Sequence, residues 1–216
     1  MNPTKSQPMN AKKWKTCSDP GPMLDHLRGA ASSRKLRLFA CACCRPILTA
    51  GAPYHAALDA AEEVAEGKPK RWLRNSLNQW STLAMEAGDP LGYAICFALD
   101  SDAKLAILDR EFTDWSAGLR EGVSDRAERK RFAEHLRCLF GNPFRPATFD
   151  PTRRTSDALA LARGIYEKKA FDRMPILADA LQDAGCDNPD ILDHCRDANQ
   201  PHVRGCWVVD LVLDKS

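Results

Sequence analysis

The chain has 216 residues, of which 31 are Lys or Arg and 29 are Asp or Glu, for a formal net charge of +2. Apolar residues make up 44% and mean hydropathy is -0.42, values of an ordinary globular protein and not of a disordered, collagen-like or integral membrane one. No apolar run reaches the ~18–20 residues that a spanning helix needs.

The pattern is helical along nearly the whole chain. Asp19, followed by Pro20, Gly21 and Pro22, is an N-cap signal for a short helix through Met23, Leu24 and Leu27, closed by Gly29. Ser32 or Ser33 caps a second helix running to Ile47 and Leu48. Its Leu-Phe-Ala-Cys-Ala-Cys-Cys centre is apolar on every face, the signature of a buried helix, and Pro46 kinks or ends it. Further helices are expected over 53–67, 69–85, 91–99 and 103–119.

From Ser124 a charged amphipathic helix points Phe132, Leu136, Leu139 and Phe140 inward and Arg126, Arg129, Lys130 and Glu134 outward. Residues 141–155 carry Pro143, Pro146 and Pro151 and read as a packed, Pro-rich connection between an N-terminal region (1–140) and a C-terminal four-helix region (156–216). The two regions could also pack as one domain. The last helices fall at 156–169, 174–184, 189–196 and 202–213, although Trp207-Val-Val-Asp-Leu-Val-Leu also suits a short strand. The expected fold is all-α, an irregular bundle of about ten helices.

Nine cysteines, an odd number in a chain of this length with no export signal, favour a reducing cytoplasm over a disulfide scaffold. Cys186, Cys195, His202 and Cys206 cluster near helix ends and form a Cys3His candidate set for a structural zinc. On a helix, His202 and Cys206 would share one face, one turn apart. Buried apolar packing is the competing reading, and it also suits Cys41, Cys43 and Cys44, where no His is near in sequence. His26, His55 and His135 stand alone in helical patterns, as surface or capping residues do.

Residues 1–75 hold thirteen Lys or Arg against six Asp or Glu, a net +7, so the remainder is -5. A basic N-terminal half is a footprint for nucleic acid or simply a solvated face with a Lys-rich tail. Phosphate-loop, dinucleotide-binding, His-Glu-x-x-His and nucleophile-elbow motifs are missing from the sequence, and no catalytic residue is nominated.

Five segments are distinctive together: Trp14-x-x-Cys17-Ser-Asp-Pro-Gly-Pro-Met-Leu, Arg34-Lys-Leu-Arg-Leu-Phe-Ala-Cys-Ala-Cys-Cys-Arg45, Phe140-Gly-Asn-Pro-Phe-Arg-Pro146, Ile176-Leu-Ala-Asp-Ala-Leu-Gln-Asp-Ala-Gly-Cys186 and His202-Val-Arg-Gly-Cys-Trp207. They resemble an uncharacterised paralogous family abundant in planctomycete-type bacteria. The resemblance brings no activity with it; it implies bacterial accessory proteins of recognition or adaptation. The leading expectation is thus a non-catalytic helical interaction or adaptor module that binds a protein partner, with a structural zinc near the C-terminus. The alternatives are a nucleic-acid-associated accessory protein using residues 1–75 and a metal-dependent enzyme.

Overall fold

Side-chain caps set most of the helix starts in the computed structural model, which describes residues 8–48, 54–68 and 125–215. Asn10 accepts from the Lys13 N–H to open α1 (Ala11–Thr16), and Asp19 accepts from Gly21 to open α2 (Pro20–Leu27). Ser32 accepts from Lys35 at the start of α3 (Ser33–Cys44). Helix α4 covers His55–Ala65, and the long α5 covers Asp125–Phe140. Thr155 caps α6 (Ser156–Lys168), Met174 opens α7 (Met174–Asp183), and Asn188 with Pro189 starts α8 (Pro189–Arg196). The last helix is α9 (Trp207–Leu213). Each such cap contributes about 1 kcal/mol.

The described residues are thus all-helical, with nine α-helices and no strand among them. The helices expected within 69–119 lie outside the described residues. Helix α1 is a finding that composition concealed: its lysines suggested a solvated tail, yet Trp14 is buried and its indole N–H donates to the Gly141 carbonyl at 2.7 Å. Where the C-terminal run left helix or strand open, it is helix. Val208, Val209 and Val212 are all buried, as i, i+1 and i+4 positions on one helical face are, so packing overrides β-branched propensity.

That helix starts five residues later than the sequence suggested. Gly205 has φ +85 and the Cys206 N–H donates to the Val203 carbonyl at 2.9 Å, so 202–206 is a turn with Cys206 at the N-cap. His202 and Cys206 therefore do not share a helical face. The expected kink at Pro46 is a 3-10 turn, Arg45–Ile47, directly after α3.

Two apolar clusters form the interior. Helices α1–α4 and one face of α5 build the first around Phe39, Leu36 and Phe132; α6–α9 build the second around Ile165, Leu177 and Val208. Helix α5 serves both, because Leu136 and Leu139 enter the first while Cys138 enters the second. Cys41, Cys43 and Cys44 lie inside the first, where burial pushes the Cys44 thiol up to about 12 and raises Cys41 and Cys43 as well.

A seam of buried charge joins the clusters. Asp210 on α9 receives both Arg34 terminal nitrogens, at 2.7 and 3.0 Å, and lies 2.5 Å from the Lys35 ammonium. Lys35 also donates to the carbonyls of Leu139 and Gly205. Arg34 reaches Tyr166, whose hydroxyl donates to Glu66. A second node is Glu62, which accepts from Arg45, Lys169 and Arg204. No described helix is long and apolar enough to cross a membrane.

Candidate metal centre

Four side chains from three separate segments meet where α5, the end of α8 and the 202–206 turn converge. Their ligand atoms, from Cys138, His194, His202 and Cys206, all lie within 4.8 Å of one another. His194 Nε2 is 3.2 Å from Cys206 Sγ, and His202 Nδ1 is 3.9 Å from Cys206 Sγ and 4.0 Å from Cys138 Sγ. A tetrahedral zinc with bonds of ~2.3 Å to sulfur and ~2.0–2.1 Å to nitrogen places its ligand atoms about 3.3–3.8 Å apart. The four atoms stand close to that arrangement, and shifts of well under ~1 Å per atom would complete it.

Each donor is fixed by local sequence. Cys138 sits in the last turn of α5 with its sulfur accepting the Val203 N–H at 3.4 Å. His194 occupies the last turn of α8, where its ring packs 5.3 Å from Trp207 and edge-on to His202 at 4.9 Å. His202 is flanked by Phe171, and Cys206 is held at the mouth of α9 by the Gly205 turn. An added Cβ at Gly205 would lie 2.6 Å from Leu38 and 3.1 Å from Leu139, so the turn is pressed against the first cluster. These contacts orient the donors from behind, as a metal site requires.

The electrostatics suit a cation. Burial alone would raise the Cys206 thiol, but hydrogen bonding from Cys138, His194 and His202 outweighs it and pulls the thiol well below its ordinary value. Cys138 moves the other way, through burial and the proximity of Cys206. One buried site thus already favours a thiolate, the form that binds metal. Borderline-soft sulfur and nitrogen donors in this number match zinc chemistry.

The sequence-derived set shares His202 and Cys206 with this group. Cys186 and Cys195 stand outside it, buried in the second cluster, where burial first and then Cys206 and Cys186 raise the Cys195 thiol. His194 takes the place its neighbour was given: adjacent helix positions point about 100° apart, so one faces the turn and the other the core. Cys138 carried no spacing signal, being 56 residues before His194 and embedded in an amphipathic pattern. All eight described cysteines are free thiols. No family model matches this chain, and no curated protein or solved structure matches it.

Proposed function

We propose that this protein is a metal-stabilised helical interaction module in which Cys138, His194, His202 and Cys206 hold one structural zinc. The carrying observation is the convergence of four protein donors from three segments, Cys138 being distant in sequence from the rest, within 4.8 Å. Four protein ligands fill a tetrahedral shell, which suits a structural role; a catalytic zinc keeps a position for water or substrate. The proposal extends to a non-catalytic adaptor for a protein partner, in line with the resemblance to accessory proteins.

The nucleic-acid alternative draws on the basic N-terminal region, yet several of its cations are occupied inside the fold. Arg34 and Lys35 serve Asp210, and Arg45 serves Glu62 and Asp59. Affinity for nucleic acid that falls steeply with salt would favour that alternative.

The test is metal content of protein purified without added zinc or chelator. About one zinc per chain is expected, lost in Cys138→Ser and in His194→Ala and retained in Cys186→Ser. A metal-free native protein overturns the proposal, and so does zinc that survives Cys138→Ser but leaves with Cys186→Ser.

A further inference from the structure

A cavity of about 250 Å³ opens beside the centre, between α3, α4, α5 and the 202–206 turn. Leu38, Ala42, Phe171 and Val203 give it a largely apolar wall. Its charged lining is Arg45, Lys169 and Arg204 against a single carboxylate, Glu62. Asp59 pairs Arg45 from outside the lining, and a surplus of positive charge remains even when it is counted.

Glu62 has no capacity left. Its Oε1 accepts from Arg45 at 2.7 Å and from Lys169 at 3.3 Å, and its Oε2 accepts from Arg204 at 3.0 Å and lies 3.0 Å from Lys169. Four contacts use the lone pairs that a carboxylate offers. Two buried donors on lining residues have no hydrogen-bond partner among the described residues, Arg204 Nε and His135 Nδ1. The first is a donor by nature. The second is one by its setting: Arg131 Nη1, which can only donate, faces His135 Nε2 at 3.4 Å, so Nε2 accepts and the proton sits on Nδ1. Orphaned buried donors are rare and costly, and a pocket that gathers two of them under surplus positive charge is short of one acceptor-bearing anion.

We propose that this cavity binds a small amphipathic anion, with a carboxylate or phosphate-ester head among Arg204, Lys169 and His135 and an apolar body against Ala42, Phe171 and Val203. The site is separate from the metal reading and does not depend on it, although His202 borders both.

Full-length protein is titrated with benzoate, phenyl phosphate and benzyl alcohol, following heat of binding and thermal midpoint. Benzoate or phenyl phosphate should bind at least about tenfold more tightly than benzyl alcohol, because a charge-assisted hydrogen bond is stronger than a neutral one. Lys169→Met should weaken that ligand about tenfold by removing a half-exposed cation while Arg45 and Arg204 still hold Glu62. Ala42→Leu should abolish binding by filling the space, and zinc content should be unaltered in both variants. Neither anion outbinding benzyl alcohol would overturn the proposal, as would anion binding undiminished by Ala42→Leu. A native protein that binds the anion but carries no zinc would count against the metal reading alone.

Discussion

Gly205 shows how one residue can fix a site it does not join. Its φ of +85 suits glycine, and an added methyl would meet Leu38 at 2.6 Å. Gly205→Ala is therefore expected to destabilise the protein by about 3 kcal/mol, from left-handed strain together with overpacking, measured by urea denaturation. It should also weaken zinc retention, since the same turn carries His202 and Cys206. His135 offers a second residue-scale test. Burial, with help from Arg131, lowers its pKa to about 3, so the folded state keeps the ring neutral. The unfolded chain takes up a proton near pH ~6.5, so the stabilising preference is full above that value and is lost as pH falls from there toward 3. Between about pH 7.5 and about pH 5.5 the native protein should lose about 1.4 kcal/mol more than His135→Asn does, a difference read from denaturation at both pH values. An equal loss in both proteins would show that His135 is not the titrating group. The sequence made this histidine a surface or capping residue because nothing in a helical pattern marks which polar position a neighbour will cover.

At the scale of elements, capping residues were the most legible feature. Asp19 with Pro20 marked α2, and Ser32 or Ser33 marked α3, where Ser32 is the cap, because the chemistry that starts these helices is local. The apolar centre of α3 announced its burial equally well, with eight of its twelve residues buried. What stayed hidden depends on partners distant in sequence: the docking of Trp14 on Gly141, the late start of the last helix at Trp207, and the meeting of Cys138 with the C-terminal donors. Half of the candidate centre, His202 and Cys206, was visible from local clustering of Cys and His; the other half needed the ends of α5 and α8 to converge on the 202–206 turn. Helix α9 also carries a buried ionic anchor in Asp210, whose side chain is only 3% exposed. Asp210→Ala leaves Arg34 and Lys35 partly buried without their main counter-charge, and is expected to cost about 3–5 kcal/mol in urea denaturation.

For the whole molecule, the charge seam joins the two apolar clusters, and the centre ties the C-terminal helices to α5, the helix that serves both clusters. Zinc would add a covalent-strength tie from α5 to the α8–α9 region, so chelation should lower the thermal midpoint of the native protein. Cys138→Ser, with the tie already absent, should melt at the lower temperature whether chelator is present or not. A native midpoint indifferent to chelator would sever the link between metal and fold. Mass action sets the size of the shift, which grows with the free zinc concentration relative to the dissociation constant.

The spacing of the four donors along the chain has a kinetic corollary. His194, His202 and Cys206 follow one another within 12 positions, whereas 56 separate Cys138 from His194. Closing the long segment costs about 1.7 kcal/mol more loop entropy than closing the eight-position step from His194 to His202. With zinc at this site, a refolding chain would therefore capture the ion first on the compact C-terminal triad and recruit Cys138 last, so arrival of this fourth ligand would report that α5 has docked on the C-terminal helices.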